Sequence, residues 1–516
     1  MITAILIVLV AIGTLENLWP LFIGYQETPQ GYIFLGTVHH PGDYFYYLSQ
    51  IAQGASRTIT SVDLYTSESL QPSFVGWSNV LIGKIFSLFH VSPIIAYHTS
   101  VAILTVMVFV ATYMLCKTLF SSKGYAVFSL YLFMLFHAFP LLRDGLPSYG
   151  DYWNNFAVPR VRIGAVPHQL LIAITSILLV RSMFLRMHAD TSKKTLVGII
   201  CFSVILGSLQ PVLWTIIAGV LILSRIMTPK RQRMSVDVRG LLAIGAGAIP
   251  VVYLSILFRS LPFSQLRLWE AAQQTILTPE HFLSATGPLF LVALVSIPLV
   301  LKPPTTQRIF LILFTSISIG MLISPLPSYM HISHVRFMST LTILLLSIMA
   351  AIGLQPLITA QNHILKLVTY LGIAALSVYL LPNHQKTIEL ISTFHPTNLY
   401  EYVPTKDYVF FRSIAAVGGQ NDTFLVATPY NELFPALSGK RSYNGHHLLT
   451  INAAQKDAEA SAFFGGVMDA PAMRTFLKKH GISWVISTVH QPVVEHFPWA
   501  SVRAKTDNLV LYAIQK

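Results

Sequence analysis

Long apolar runs alternate with short polar segments over the first three quarters of the chain. About eleven runs approach the roughly 20 residues that a helix needs to cross a bilayer. Spans within the hydrocarbon core must be helical here, because a helix satisfies its own backbone hydrogen bonds. The predicted cores are 2–24, 93–116, 125–142, 164–185, 195–210, 212–227, 240–258, 287–301, 308–323, 338–356 and 367–381, with a bent hairpin at Gln210-Pro211.

The pattern changes from about residue 385, where short strand-like runs alternate with helix-like segments. The runs 423–429 and 483–489 are apolar and predict strands, as does the closing "NLVLYAI". The segment "APAMRTFLKKHG" predicts a helix that stops at Gly481. The sequence therefore predicts a polytopic helical membrane domain over 1–384 and a small α/β domain over 385–516.

The segment between the first two spans, 25–92, is unusually long. A short helix is predicted to begin at Asp43, behind the Pro41-Gly42 turn. The run Ser73–Phe89 is apolar but is interrupted by glycine, asparagine and lysine, which favours a helix lying in the membrane interface. The alternative is a twelfth span, which would invert the orientation of everything downstream.

Composition supports a membrane protein. Of 516 residues, 53% are hydrophobic and only 11% are charged, whereas soluble proteins carry about 25% charged residues. The first run begins at Met1 without a positive segment or a small-residue cleavage site, so we expect a retained helix. Cys116 and Cys201 lie in or beside spans, and their spacing predicts neither a disulfide nor a metal site.

The net charge of +13 is unevenly distributed. With the N-terminus in the cytoplasm, the cytoplasmic loops and their edges hold fourteen basic residues against two aspartates, and the outer loops balance eight against eight. This is the positive-inside pattern, so the excess sets orientation and predicts no nucleic-acid partner. We expect a multi-pass protein of the cytoplasmic membrane whose C-terminal domain, after an odd number of spans, lies outside.

Asp43 is the first candidate for chemistry at the outer face. As a structural residue it would cap its helix by accepting the amide of Phe45 or Tyr46. As a catalytic residue it would be a carboxylate kept ionised by the helix dipole, able to take a proton from an acceptor hydroxyl. The two roles are compatible.

The neighbours of Asp43 favour binding of a polar ligand. We expect His39, His40, Tyr44 and Tyr47 to form a substrate-binding wall, because sugars stack on aromatic rings and hydrogen-bond to phenol and imidazole. A membrane-interface belt also uses tyrosine, but it does not explain a carboxylate in its midst.

Further candidates lie in two other outer loops. Asp144 and Asp151 are catalytic candidates, and Arg160 and Arg162 are candidates for substrate binding; local pairing among them is the alternative. Arg336 enters the tenth span, where an arginine must pair or snorkel, and it would suit a lipid phosphate. His331 and His334 would assist Arg336 or cap the loop, and no metal-binding spacing is present among the histidines.

This arrangement resembles the GT-C superfamily of membrane glycosyltransferases, which includes the protein O-mannosyltransferases and the aminoarabinose transferase of lipid A. The resemblance rests on many spans, a long first outer loop with "PGDYFYYLSQIAQG", interfacial helices and an outer C-terminal domain. The stretch "FLVATPYNELFPALSGKRSYNGHH" is similar to the tails of uncharacterised bacterial members. Two departures are Gly42, where many members carry a second acidic residue, and "QPVLW", where related sequences often have His-Pro.

The resemblance implies transfer of a sugar from a polyprenyl-phosphate donor to a hydroxyl of a glycan, lipid or protein on the outer face. The leaving group would be a lipid phosphate, stabilised by positive charge, and most such enzymes need no metal. Two other classes stay open. A transporter or flippase for lipid-linked saccharide would need polar residues deep in its spans, and the sequence offers only Glu16-Asn17. A non-catalytic assembly partner would leave the Asp43 loop without a task.

Overall fold

The structure is a computed structural model that describes most of the chain. The described residues are 2–38, 40–56, 58–136, 142–143, 146–147, 166–187, 192–229, 238–272, 279–419, 421–491, 494–495 and 497–515. They fall into two compact units. The helical unit comprises Met1–Trp19, Val101–Arg259 and Glu270–Ile391, and the sheet unit comprises Pro20–Ser100, Ser260–Trp269 and Ser392–Lys516.

Helices dominate the chain up to residue 391. In chain order they are α1 (Ile2–Gln26), α2 (Pro41–Gln53), α3 (Trp77–Ser87), α4 (Pro93–Leu119), α5 (Lys123–Met134), α6 (Pro167–Met187), α7 (Lys193–Leu209), α8 (Pro211–Met227), α9 (Val238–Gly245), α10 (Ala248–Leu257), α11 (Phe263–Ala272), α12 (Pro279–Val295), α13 (Ile297–Val300), α14 (Thr306–Ile323), α15 (Leu326–Tyr329), α16 (Thr340–Ile358) and α17 (His363–Ile391). A 3₁₀ turn covers His334–Phe337.

Helices overlap every predicted span. Among the described residues, seven segments are long and apolar enough to cross a membrane, which confirms a polytopic helical membrane protein. They are Ile2–Gln26, Pro93–Leu119, Pro167–Met187, Val238–Leu257, Thr306–Ile323, Thr340–Ile358 and His363–Pro382. The predicted total of about eleven crossings stays a prediction, because the remaining apolar helices are shorter.

Burial within the helical unit centres on α16. Its residues from Thr340 to Ile352 are all buried, and a helix that is apolar on every side belongs in the interior of a bundle. A capping box of Ser339 and Thr342 fixes its start. The predicted bend between the fifth and sixth spans is present, since only Gln210 separates α7 from α8.

The sheet unit joins the first loop to the C-terminal part. Strand β1 (Tyr32–Phe34) pairs antiparallel with β4 (Tyr402–Pro404). In the helical unit, β2 (Leu142–Arg143) pairs antiparallel with β3 (Leu146–Pro147). Phe34, Phe394 and Tyr402 bury one another, and the Tyr402 hydroxyl donates to the carbonyl of Gly24. Part of the first loop therefore folds with the C-terminal segment. The predicted domain boundary at 384/385 stays a prediction.

The predicted C-terminal α/β region is confirmed as a five-stranded sheet. The elements of this region are α18 (Thr405–Ile414), β5 (Thr423–Val426), α19 (Tyr430–Ser438), β6 (Arg441–Ser442), α20 (Ala453–Phe464), α21 (Ala470–Lys479), β7 (Ile482–Thr488), β8 (Ala500–Lys505) and β9 (Leu509–Ile514). The strand order in the sheet is β6-β5-β7-β9-β8, with β5 parallel to β6 and β7, and β9 antiparallel to β7 and β8.

Helix α3 is too short to be a twelfth span. Its 11 residues rise about 16 Å, whereas the hydrocarbon core is about 30 Å thick. Leu81, Ile85, Leu88 and Phe89 in and after it are exposed, as expected of a helix at a membrane interface.

Candidate active site

Asp43 lies in the first turn of α2, but it is not the N-cap. The helix begins at Pro41 with His40 in the capping position, and the Tyr44 amide donates to the His40 carbonyl. The prediction of a helix starting at Asp43, and with it the capping role, is wrong. The physical reason is Pro41, since proline fits the first helical position, where its fixed φ suits the helix and its missing N–H costs nothing.

The position of Asp43 still suits a carboxylate that acts as a base. Its side chain is 51% exposed. Asp43 is therefore accessible to a ligand at the start of the helix.

Tyr44 belongs to the core and offers no face to a ligand. The side chain is fully buried, and its hydroxyl donates to the carbonyl of Leu35 at 2.6 Å. It packs against Tyr97 and His98. Gly36 makes this packing possible, because it has a φ of +79° and a Cβ there would lie 2.1 Å from His98 Nε2. The predicted role of Tyr44 in a sugar-binding wall is corrected accordingly.

The other members of that wall have different positions. His40 is exposed and Tyr47 is half-buried, so both have surface on the side of α2 that carries Asp43. Their predicted contact with a sugar stays a prediction. His39 lies outside the described residues.

His446 is a site residue that the sequence analysis did not single out. Its side chain is 2% exposed, and its Nε2 lies 4.0 Å from Oδ1 of Asp43. The Tyr46 and Tyr65 rings lie beside it. The only sequence signal was its place in the "SYNGHH" end of the stretch similar to bacterial GT-C tails. Its approach to Asp43 depends on contacts between segments about 400 residues apart.

The turn that carries His446 is fixed by Thr450. The Thr450 hydroxyl accepts the amides of Gly445 and His446 and donates to the Tyr65 carbonyl at 2.6 Å. Gly445 passes so close to Asn431 that a Cβ would lie 2.5 Å from its carbonyl oxygen. The turn is therefore held to the first loop by the Thr450 hydroxyl and lies close against the backbone of α19 at Asn431.

Three histidines lie close to one another, and two of them, His446 and His447, interact with Asp43. His446 and His447 stack in parallel with ring centroids 5.1 Å apart, and His40 lies 6.2 Å from His447. Burial, followed by the neighbouring His447 and His40, lowers the pKa of His446 to about 3. Burial and His40 also lower the pKa of His447, although Asp43 opposes this. His446 is therefore neutral at physiological pH.

A buried ammonium ties the C-terminal part to the first loop. Lys456 Nζ donates to the hydroxyls of Thr66 and Ser67 and, at 2.7 Å, to the Glu68 carboxylate. The lysine is 4% exposed. A buried charge is tolerated only when it is paired and hydrogen-bonded, and here both conditions hold. This contact fixes the first loop beside the His446 turn.

Asp63 makes the stability of the protein depend on pH. Burial raises the pKa of Asp63 to about 7, although the Tyr65 amide, Lys456 and Arg441 lower it. An unfolded aspartate has a pKa near 4, so between about pH 4 and pH 7 only the folded state holds the proton. Stability contributed by this proton is therefore lost as the pH rises through that window.

Replacing Asp63→Asn should remove this loss. The amide keeps the Oδ1 acceptor for the Tyr65 amide at 2.8 Å and does not titrate. We expect variant and parent to melt together near pH 3.5, below the window, and the variant to melt at higher temperature near pH 8.5, since each pH unit weakens the parent by about 1.4 kcal/mol across the window. Thermal unfolding at both pH values measures this. Asp507→Asn, at an exposed pair with Lys406, is the control, and an Asp63→Asn difference independent of pH would contradict the assignment.

In the helical unit, Arg336 is paired with Glu270. The guanidinium Nε and Nη2 donate to the two carboxylate oxygens at 2.5 and 3.2 Å. Arg336 is 39% exposed, so part of the guanidinium remains accessible. His334 is buried, and its Nε2 donates to the Ser324 carbonyl, which stabilises the loop between α14 and α16. His331 is exposed.

Four further predicted site residues lie outside the described residues, as His39 does, namely Asp144, Asp151, Arg160 and Arg162. Their proposed catalytic and binding roles stay predictions.

Comparison with known proteins identifies the fold. No family model matches the chain, and no curated protein sequence matches it. Among solved structures, the archaeal oligosaccharyltransferase AglB from Archaeoglobus fulgidus, in complex with an inhibitory peptide and a dolichol-phosphate, superimposes with a TM-score of 0.58, 12% identity and coverage of 94% of this chain and 69% of AglB. ArnT from Cupriavidus metallidurans, bound to undecaprenyl phosphate, gives a TM-score of 0.51, 12% identity and coverage of 98% and 97%. The chain shares the fold of AglB and ArnT.

This shared fold is the one that the resemblance to the GT-C superfamily implies. A structure of the Archaeoglobus fulgidus oligosaccharyltransferase tethered with an acceptor peptide containing the NVT sequon has a TM-score of 0.54 at 12% identity, and the match covers 99% of this chain and 74% of that protein. At such identities the match establishes the fold alone. The reaction must be argued from the residues of this chain.

Proposed function

We propose that the protein transfers a sugar from a polyprenyl-phosphate donor to an acceptor hydroxyl at the outer face of the cytoplasmic membrane. The GT-C fold supports transfer from a lipid-linked donor, because AglB and ArnT were both solved with a polyprenyl phosphate bound. The observation that carries the proposal is Asp43, an accessible carboxylate in the first turn of α2, bordered by histidine and tyrosine side chains.

Asp43 is the proposed catalytic base. The acceptor hydroxyl oxygen forms a bond to the anomeric carbon of the sugar, and its proton passes to the Asp43 carboxylate. The bond from the anomeric carbon to the phosphate oxygen breaks, and its electron pair leaves with the lipid phosphate. His40 and Tyr47 supply a surface for the sugar or the acceptor.

Arg336 is the proposed partner of the donor phosphate. A guanidinium binds phosphate through two parallel hydrogen bonds, as it binds Glu270 here. Asp144 and Asp151 stay catalytic candidates, and Arg160, Arg162, His331 and His334 stay candidates for binding. No metal is assigned to the reaction, and its independence of metal stays a prediction.

Undecaprenyl phosphate binding tests the role of Arg336. In nanodiscs the parent should bind undecaprenyl phosphate more tightly than undecaprenol, which lacks the phosphate. Arg336→Lys should weaken phosphate-lipid binding about tenfold, because lysine keeps the charge but loses the two-pronged geometry. Glu270→Gln should strengthen it, because the guanidinium loses its competing carboxylate. Binding that is unchanged in both variants would refute the assignment.

Reporter fusions test the proposed orientation. Fusions after Lys194 and after Arg239 should report cytoplasm, and a fusion after Pro382 should report the outside, because basic loops remain in the cytoplasm. A C-terminal reporter in the cytoplasm would place Asp43 on the wrong side for a donor used at the outer face.

The two alternative functions receive less support. Of the Glu16-Asn17 pair that a transport path would use, Asn17 is engaged in helix packing, since its Nδ2 donates to the Thr105 hydroxyl at 3.0 Å. An assembly partner would not require an accessible carboxylate beside an inaccessible neutral histidine. Glycosyl transfer uses both features.

A further inference from the structure

The two ring nitrogens of His446 have different surroundings. Nδ1 accepts the backbone amides of Leu448 and Leu449 at 3.1 and 3.3 Å. Since an amide N–H only donates, Nδ1 carries no hydrogen, and in the neutral ring the hydrogen must lie on Nε2. The turn therefore locks His446 in one tautomer.

Asp43 supplies a carboxylate acceptor close to the Nε2–H of His446. Nε2 is buried and has no hydrogen-bond partner. The stacked His447 ring presents its face to His446, and the Tyr65 hydroxyl donates elsewhere, to the Glu432 carbonyl. Asp43 Oδ1, at 4.0 Å, belongs to a half-exposed side chain. A rotation that shortens this distance by about 1 Å makes a charge-assisted hydrogen bond.

We propose that His446 is a positioning residue whose Nε2–H holds one oxygen of the Asp43 carboxylate, leaving the other oxygen to face the acceptor hydroxyl. The role rests on the proposed function. His446 keeps its proton throughout, and the proton of the hydroxyl passes to the free oxygen of Asp43 as the bond to the sugar forms and the lipid phosphate leaves. A hydrogen bond stabilises most when the donor is already buried and unpaired, because the donor then gives up no hydrogen bond to water when the new bond forms.

Two substitutions separate this role from a structural one. In His446→Asn the amide oxygen is bonded to Cγ, as Nδ1 is, so it can still accept the amides of Leu448 and Leu449, but the donor toward Asp43 is gone. In His446→Gln the amide nitrogen reaches about as far as Nε2, so the donor is kept and the acceptor of the turn is lost. Each variant thus keeps one of the two interactions.

We expect His446→Asn to melt close to the parent but to turn over about 10- to 100-fold more slowly with an unchanged donor KM, because a misplaced base costs rate without affecting binding. His446→Gln should melt at lower temperature and keep turnover within about fivefold of the parent. The measurements are thermal unfolding and sugar transfer by the full chain in liposomes, from undecaprenyl-phosphate hexoses to cell-envelope extract.

The pH–activity profile gives a readout that a structural role would not change. A donated hydrogen bond favours the ionised carboxylate, so its loss in His446→Asn should move the acid limb of the profile to higher pH, and His446→Gln should not. The other titratable groups that interact with Asp43, namely His447, Tyr46 and Tyr97, are common to both variants.

Three results would overturn the role, and they differ from one another. Parent-like turnover and pH profile in His446→Asn would make His446 a structural residue of the turn. ¹⁵N NMR of histidine-labelled protein reads the tautomer of His446, and the signal that disappears in His446→Asn gives the assignment. A proton on Nδ1 would show that Nε2 is not a donor, and it would overturn the role even if the parent transfers sugar. A parent with the Nε2–H tautomer that transfers no sugar would overturn the proposed function and the role with it. The Nε2–H tautomer, slow His446→Asn and active His446→Gln would support the role.

Discussion

Asp43→Asn should lower the turnover of sugar transfer by about two to four orders of magnitude, because an amide cannot take the proton of the acceptor hydroxyl. The variant should bind undecaprenyl phosphate as the parent does. Its stability should fall by only about 0.3–1 kcal/mol, the ordinary value of a negative charge in the first turn of a helix. Initial rates of transfer and thermal unfolding of the same preparations measure both effects.

Asp469→Asn is the matched control for this substitution. Asp469 is a true N-cap in the same unit, since its side chain accepts the Ala472 amide at 2.8 Å. Asparagine caps a helix about as well as aspartate, so this variant should be as stable and as active as the parent. If Asp43→Asn behaves like Asp469→Asn, then Asp43 is not the base, and the role passes to Asp144 or Asp151 or is abandoned.

Gly83→Ala should cause the largest loss of stability among the substitutions considered. A Cβ at Gly83 would lie 1.9 Å from the carbonyl oxygen of Ile51, so α3 and α2 would have to separate. Overpacking of this kind costs about 1–3 kcal/mol, and more where backbone must move. The apparent melting temperature should fall by roughly 5–10 °C, and transfer should fall with it, since α2 carries Asp43.

Gly42→Ala, at the start of α2, is the control for this substitution in α3. The nearest atoms to a Cβ at Gly42 belong to His40 and His446 and lie at 3.6–3.7 Å, an ordinary contact distance. We expect a melting temperature equal to or slightly above that of the parent, because alanine favours helix more than glycine does. Equal melting temperatures for Gly42→Ala and Gly83→Ala would show that α2 and α3 do not pack as described.

Periodicity predicted the helices well because a membrane span needs only length and low polarity. Periodicity does not locate the exact start of a helix or the contacts between distant segments, and these are the features that the sequence analysis missed. Pro41-Gly42 read as a turn, although proline also opens helices, so the start of α2 was placed two residues late. The partnership of the first loop with the C-terminal sheet arises from contacts such as Lys456 with Glu68, and no local pattern records contacts of that range.

The candidate site was predictable only in part, and for a related reason. Placing Asp43 at the centre needed only its position after the first span. A helical projection of α2 would have separated exposed Asp43 and half-buried Tyr47, four residues apart, from buried Tyr44 and Leu48, also four apart. His446 was beyond any such projection, because its approach to Asp43 requires the turn at Thr450 to dock on Tyr65.

The most direct measurement is donor consumption by the purified full chain in liposomes. Undecaprenyl-phosphate-linked hexoses and aminoarabinose, each labelled in the sugar, are supplied with cell-envelope extract as acceptor, and undecaprenyl phosphate and labelled product are quantified. The account predicts that the parent converts at least one donor to undecaprenyl phosphate and a labelled acceptor, and that Asp43→Asn stays near the protein-free blank. A parent that consumes none of the donors, or an Asp43→Asn variant as fast as the parent, would contradict Asp43-dependent glycosyl transfer.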